Sequence, residues 1–110
     1  MIYHFCPRAD WESAGAVYEA DSLRTQGFIH CSPRDWVHES ATLRVAGRDD
    51  IVVLEIDEAR LPSPAVWEDG DPPHADGRQF PHVYGPIPRA AVVSVFPLPS
   101  SADGSFAPLP

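Results

Sequence analysis

Three histidines lie inside apolar or aromatic stretches, where an imidazole needs a structural or a chemical reason to be present. They are His4 in IYHF, His30 in FIHCS and His82 in FPHVY. A buried ring costs free energy unless it finds a hydrogen-bond partner. If the three stretches are strands of one sheet, we expect the rings to point into one cleft. The alternatives are that each histidine is a hydrogen-bonded core residue or that all three bind a metal ion.

Two glutamates are further polar residues of interest. Glu68 follows Trp67 at the end of a predicted strand beside an acidic loop, and we take it as a candidate catalytic residue. Glu55 interrupts the most apolar run, where a carboxylate is more often paired or solvent-facing. No GxSxG, HExxH, CxxC or HxH motif is present, so spacing supports neither a serine triad nor a zinc site. We predict that folding requires no metal ion, and a three-histidine metal hydrolase stays an alternative.

The segment Ser32-Pro33-Arg34-Asp35 has the residue types of a helix start. Ser32 suits the N-cap, Pro33 the first helical position and Asp35 the place of a capping-box acid. This pattern predicts a helix that runs to Gly47. Arg34 is then a candidate to bind an anion together with the first amides of that helix.

The charge balance limits the partners of the protein. Lys+Arg number 8 and Asp+Glu number 16, which gives a net charge of −8, and every cation is an arginine. Double-helical nucleic acid is bound largely by neutralising its phosphates, so we expect no such partner. The absence of lysine excludes Schiff-base chemistry and a lysine-based phosphate loop. A small-molecule ligand held by a few arginines is compatible with this composition.

The elements that must position these residues are short strands, with helices only in the first half of the chain. We predict one helix from Arg8 to a left-handed Gly15, one from Asp21 to Gly27, and the one that begins at Ser32. The predicted strands are Met1–Phe5, Val17–Tyr18, Phe28–Cys31, Ile51–Ile56, Val66–Glu68, Phe80–Tyr84 and Ala91–Phe96. This order indicates the α+β class.

The chain is expected to contain one globular domain over residues 1–97 and a flexible tail over 98–110, rich in proline and serine. The acidic stretch 69–77 is full of glycine and proline and predicts a surface loop. No apolar run approaches the ~20 residues that cross a bilayer. No signal-type segment precedes the first strand, so we expect a cytoplasmic protein without a membrane partner. Cys6 and Cys31 lie in apolar segments and are expected to be structural thiols.

Several stretches of the sequence resemble an uncharacterised bacterial family, domain of unknown function 952. They are IYH at 2–4, ADW at 9–11, GFIHCS at 27–32, LEID at 54–57, WE at 67–68 and FPHVYGP at 80–86. That family is distantly similar to the ADP-ribosyltransferase superfamily. The resemblance implies a small split, mainly antiparallel sheet with one or two helices. It also implies that NAD binds, as a substrate, in the cleft between the two halves of the sheet.

The same resemblance implies roles for individual residues. His4 matches a first-strand position that holds a ribose of NAD, and His30 with Ser32 matches the second-strand position beside nicotinamide. The third signature position is His82 or Glu68. Three aromatic residues are candidates to stack against the nicotinamide ring: Tyr3, Phe28 and Tyr84. The implied function is binding of NAD or an NAD-derived ligand with cleavage of the nicotinamide–ribose bond, as an NAD-dependent transferase or glycohydrolase. The alternative of another class is a non-enzymatic binding or structural module.

Overall fold

A computed structural model describes all 110 residues and contains eight strands and three short α-helices. The strands are β1 (Ile2–Pro7), β2 (Val17–Tyr18), β3 (Ile29–His30), β4 (Ile51–Ile56), β5 (Ala65–Asp69), β6 (Gln79–Val83), β7 (Ile87–Pro88) and β8 (Val92–Pro97). The helices are α1 (Arg8–Glu12), α2 (Asp21–Thr25) and α3 (Val37–Val45), with 3-10 turns at Glu58–Arg60 and Arg89–Ala91. All strand pairs are antiparallel, and the α+β class predicted from the sequence is confirmed.

Two three-stranded sheets form the scaffold. The first half-sheet has the order β1-β4-β8 and the second has the order β3-β6-β5, while β2 and β7 form a small separate pair. The half-sheets meet at one isolated antiparallel bridge between Tyr3 and Ser32. The backbone N–H of each residue donates to the carbonyl of the other, at 2.9 and 2.7 Å. The two half-sheets therefore belong to one sheet that is split everywhere except at this bridge.

Strands β1 and β4 of the first half-sheet are buried on both faces, which is why β4 is apolar almost throughout, whereas the edge strand β8 is largely exposed. On one face, Ile2 and Leu54 pack against Ile29 and Val83 of the second half-sheet. The free cysteines Cys6 and Cys31 belong to this cluster, and burial raises the pKa of the Cys6 thiol to about 11. On the other face a second cluster of residues packs beneath α3: Tyr3, Val37, Ala41, Ile51, Val53, Leu98 and Phe106.

The predicted helix start at Ser32 is wrong. The helix begins at Val37, and Trp36 at its N-cap makes no side-chain capping bond. Ser32 does not cap a helix because its backbone carbonyl accepts from the N–H of Tyr3 instead of from a helix amide. Its hydroxyl lies 3.1 Å from the hydroxyl of Ser40. Arg34 consequently lies in a turn before the helix, away from the helix amides with which it was expected to bind an anion.

The first two helices are also shorter than expected. Helix α1 ends at Glu12 and α2 at Thr25. Gly15 does not adopt a positive φ, whereas Gly27 does, at 91°. Gly27 therefore ends its helical segment with the left-handed conformation that the sequence pattern predicted, and Gly15 does not.

Residues 98–110, expected to form a flexible tail, lie against α3 and the first half-sheet. Leu98 and Phe106 are buried in the second cluster. The backbone N–H of Phe106 donates to the hydroxyl of Thr42 at 3.0 Å, and Gly47 N–H donates to the carbonyl of Gly104 at 2.8 Å. In this structure the last segment completes the second cluster.

None of the helices is long and apolar enough to cross a membrane.

The substitution Phe106→Ala tests whether the last segment packs in solution. Phe106 is 4% exposed, and truncation of a buried phenylalanine lowers the free energy of unfolding by about 3–5 kcal/mol. We expect a loss of that size in denaturant unfolding. The control is Leu43→Ala on α3, because that side chain is 75% exposed and should contribute less than about 0.5 kcal/mol. Small effects from both variants would show that residues 98–110 are mobile.

Candidate functional site

A cleft opens between the two half-sheets on the side of their bridge where His30 lies. Its first cavity, of about 530 Å³, is bounded by β3, β6, α3 and the loop at 70–75. Its second cavity, of about 430 Å³, lies between β1, α1 and α2. Phe5, His30 and Arg44 line both cavities, so the two are neighbouring parts of one cleft.

His30 stands at the junction of the two cavities, and the protein holds it neutral. Its Nε2 lies 2.7 Å from Oε1 of Gln26, whose amide nitrogen donates to a carboxylate oxygen of Asp71 at 2.8 Å. Burial, together with the positive charge of Arg44, lowers the pKa of His30 to about 4. The other ring nitrogen, Nδ1, has no partner in the protein and is not buried. A neutral imidazole with one free nitrogen therefore faces the cleft.

His82 lies directly across from His30 in the β3–β6 ladder, with the ring centroids 5.4 Å apart. Its Nδ1 lies 2.8 Å from Oε1 of Glu68 on β5, and the hydroxyl of Tyr84 donates to the same oxygen. The Tyr84 hydroxyl and then the His82 ring lower the pKa of Glu68. The carboxylate is thus ionised, and it orients His82 so that Nε2 faces the first cavity without a protein partner.

The two candidates for the third signature position are therefore in contact with each other. Alternation along β6 places His82 on the cleft face and the buried Val83 on the core face. The Phe28 ring stacks on His82 at 4.1 Å and lies 5.3 Å from the Tyr84 ring. Phe28 and Tyr84 line neither cavity and support the His82–Glu68 pair instead.

His4 is placed differently from the other two histidines. Its Nδ1 bonds to the backbone carbonyl of His30, and its Nε2 lies 2.9 Å from the hydroxyl of Tyr18. Burial lowers the pKa of His4, so the ring stays neutral near pH 7. The structure brings the rings of His30 and His82 together, whereas His4 borders the second cavity with both nitrogens already engaged. Its contacts are those of a hydrogen-bonded core residue that positions β3 beside β1.

The family described as Protein of unknown function (DUF952) matches residues 5–95. The chain belongs to this family. The family match includes both cleft histidines and Glu68 and stops before the last packed segment. The sequence resemblance to this family is thereby confirmed, while its further similarity to ADP-ribosyltransferases stays a prediction.

This DUF952 chain is similar to solved structures of a protein from Caulobacter crescentus. A crystal structure of protein CC0527 from Caulobacter crescentus has 28% sequence identity and a TM-score of 0.84, over 96% of this chain and 92% of that one. A solution NMR structure of the same protein has 29% identity and a TM-score of 0.77, over 94% and 89% of the two chains. No protein with a curated description matches the sequence. The likeness supports the fold of this DUF952 chain and carries no activity with it.

Two predicted ligand contacts of this DUF952 chain lie away from the cleft. The Tyr3 hydroxyl donates to Glu55 at 2.7 Å, and Arg34 donates to the Tyr3 hydroxyl at 3.0 Å. Arg34 and Glu55 line another cavity, beside the last segment. Tyr3 points to the opposite face of β1 from His4, because neighbouring strand residues alternate. Ser32, in contrast, does line the first cavity.

The helical wall of the cleft was not predicted from the sequence. Trp36, Ser40, Leu43 and Arg44 all line the first cavity. Their spacing of i, i+4, i+7 and i+8 is that of one helix face, so periodicity could have grouped them. The core-facing residues of α3 are Val37 and Ala41.

Metal ligands are not grouped anywhere in the structure. No set of three or more His, Cys, Asp or Glu side chains is arranged to hold a metal ion. His4 already uses Nε2 on Tyr18 of β2, and His82 uses Nδ1 on Glu68 of β5. The geometry therefore gives the three-histidine metal hydrolase no support.

The substitution Tyr84→Phe tests the bond network around Glu68. The variant loses the hydroxyl that contributes most to the lowered pKa of Glu68. We expect that pKa to rise toward its ordinary value, measured by NMR titration of the side-chain carboxyl carbon. A carboxyl with a depressed folded pKa stabilises the fold above its unfolded pKa and loses this contribution as pH falls through the folded pKa. The variant should therefore lose less stability on acidification than the wild type.

The signals of the other glutamates are the internal control, because Glu68 alone accepts a hydrogen bond from Tyr84. An identical Glu68 titration in variant and wild type would contradict this network.

Proposed function

We propose that the cleft binds NAD or an NAD-derived nucleotide and that cleavage of the nicotinamide–ribose bond is the reaction it serves. The observation that carries the proposal is the pairing of two oriented imidazoles, His30 and His82, in a cleft between the halves of a split sheet. The two cavities, about 530 and 430 Å³, have the size usual for small-molecule sites. The resemblance to ADP-ribosyltransferases supports the same ligand class.

A diphosphate needs a local positive charge, because the chain as a whole has a net charge of −8. Arg44 lines both cavities and makes no ion pair; its one bond goes to the backbone carbonyl of Asp71, at 3.3 Å. An arginine without a carboxylate partner keeps its donors available for phosphate oxygens. We assign the diphosphate to Arg44, where the two cavities meet.

The remaining parts of a dinucleotide find matching groups on either side of Arg44. The free Nδ1 of His30 accepts a hydrogen bond from a ribose hydroxyl or from the carboxamide of nicotinamide. Trp36, Phe5 and Phe80 provide aromatic walls of the first cavity for a heterocycle. In this proposal His30 and Ser32 keep the cleft positions implied by the resemblance. His4 supports β3 rather than touching the ribose.

Cleavage of NAD would use the His82–Glu68 pair as a base. Water attacks C1′ of the ribose, the C1′–N bond breaks, and its electrons neutralise the pyridinium of nicotinamide as it leaves. The proton of the water goes to Nε2 of His82, and the ionised Glu68 stabilises the imidazolium through Nδ1. The products are nicotinamide, ADP-ribose and one proton. The oxocarbenium-like transition state is positively charged, and the ionised Glu68 behind His82 offsets the second positive charge that the protonated ring would place beside it.

Calorimetric titration with NAD and with ADP-ribose tests ligand binding. His30→Ala should weaken binding by about 1–3 kcal/mol, the usual effect of losing a partner for a polar group. Arg44→Gln should weaken it by at least as much, because a charged hydrogen bond is lost. Arg24→Gln is the matched control, since Arg24 is exposed, paired with Asp21 and outside the cleft. No binding to the folded wild type at millimolar ligand would contradict the proposal.

Chromatographic detection of free nicotinamide tests the reaction separately. Glu68→Gln should lower the rate of nicotinamide release by about 10²–10⁴-fold, the range of a general-base contribution. It should leave the affinity for ADP-ribose nearly unchanged, because Glu68 lines neither cavity. An unchanged rate in Glu68→Gln, or no release by the wild type, would contradict cleavage while calorimetry still decides binding.

A further inference from the structure

The loop between β5 and β6, residues 70–78, covers the first cavity. Its first part, from Gly70 to Ala75, lines the wall opposite His30 and His82. The loop makes one backbone–backbone hydrogen bond, from Gly77 N–H to the carbonyl of His74, and that bond is internal. Segments without backbone bonds to the rest of a domain open at low free-energy cost. Side chains therefore decide where this loop lies.

One side-chain attachment joins the end of the loop to the start of α3. The guanidinium of Arg78 lies 3.8 Å from the centre of the Trp36 ring, which is a cation–π contact. The His74 ring meets Trp36 edge-on, with the centroids 5.2 Å apart. These contacts hold the loop over the cavity without involving the histidines of the cleft.

A second attachment ends on His30. The Asp71 carboxylate can only accept hydrogen bonds, so the group of Gln26 that faces it, 2.8 Å away, must be the amide nitrogen. The amide oxygen of Gln26 then faces Nε2 of His30, 2.7 Å away. An amide oxygen can only accept, so the proton of the neutral ring lies on Nε2. Nδ1 is left as an acceptor.

We propose that loop 70–78 is a lid and that its closure, acting through Asp71 and Gln26, fixes the His30 proton on Nε2 so that Nδ1 accepts a hydrogen bond from the ligand. When the lid opens, Asp71 leaves and the Gln26 amide is free to rotate. The amide nitrogen of Gln26 then donates to Nε2. Exchange with solvent moves the single ring proton to Nδ1, so the ring gains and loses no proton overall. The open lid presents a donor where the closed lid presents an acceptor.

This coupling makes Gln26 a positioning residue and names the ligand chemistry that favours closure. A ligand that donates from a hydroxyl or an amide N–H to Nδ1 binds the closed form, whereas a pure acceptor does not. The identity of that ligand as a ribose or a nicotinamide carboxamide rests on the proposed function. The lid and the tautomer do not depend on it.

The test is ¹⁵N NMR of the histidine rings in the free protein, which distinguishes the two neutral tautomers directly. We expect the Nε2–H form of His30 in the wild type. In Asp71→Ala the ratio of Nε2–H to Nδ1–H should fall about tenfold, the effect of one hydrogen bond. Asp69→Ala is the matched control, because Asp69 is exposed in the same hairpin and its side chain bonds to nothing.

An Nδ1–H tautomer in the wild type, or the same tautomer ratio in Asp71→Ala and Asp69→Ala, would overturn the proposal. Titration with ADP-ribose adds a second readout: Asp71→Ala should bind about tenfold more weakly than Asp69→Ala, and equal affinities would also count against it. If the wild type does not bind ADP-ribose, the proposed function fails, and the tautomer measurement still decides the lid.

Discussion

Tyr3 and Ser32 exchange the two backbone hydrogen bonds that hold the half-sheets together, and the cleft exists because that contact is not continued. Just beyond the bridge, His4 bonds to the carbonyl of His30 and so replaces a ladder bond with a side chain. The strands β1 and β3 are thus fixed next to each other at one bridge, without a continuous ladder of backbone hydrogen bonds between them. This constraint leaves the edge of β3 at His30 open to the cleft. In a continuous sheet, β1 would cover that edge.

The chemistry of the cleft follows from the hydrogen bonds that three histidine rings make with the protein. Tyr18 and the His30 carbonyl engage both nitrogens of His4, while Gln26 and Glu68 each engage one nitrogen, on His30 and on His82 respectively. The engaged nitrogen determines which tautomer each ring adopts. His30 and His82 therefore keep one free nitrogen each toward the same cavity. Arg44 adds a positive charge there that no carboxylate neutralises.

Local patterns predicted the strands well. Alternation and β-branched runs such as Ile51–Ile56 favour a strand through residues that are close together in the sequence. The helix start at Ser32 failed because a long-range bond from Tyr3 took the backbone carbonyl that would accept the first hydrogen bond of a helix. The segment after Pro97 looked mobile by composition, yet its Phe106 fills a core position that only the folded chain creates.

The candidate site was predictable only in part, for similar reasons. Three histidines stood out by their apolar surroundings, and face alternation put His30 and His82 on the cleft face of their strands. Nothing local distinguishes His4, whose partner Tyr18 lies on another element. The contact between Glu68 and His82 depends on the register of β5 against β6, which the sequence does not specify. Gln26 and Asp71 are far apart in the sequence, and their hydrogen bond forms only because loop 70–78 crosses the cleft.

A crystal structure of the wild-type protein with ADP-ribose is the most direct test that the split in the sheet creates a nucleotide site. The predicted result is a ligand between the half-sheets, with its diphosphate at Arg44, a ribose hydroxyl at Nδ1 of His30 and loop 70–78 closed over it. The contradicting result is an empty cleft at millimolar ligand, or a ligand bound elsewhere, such as the cavity beside Arg34 and Glu55.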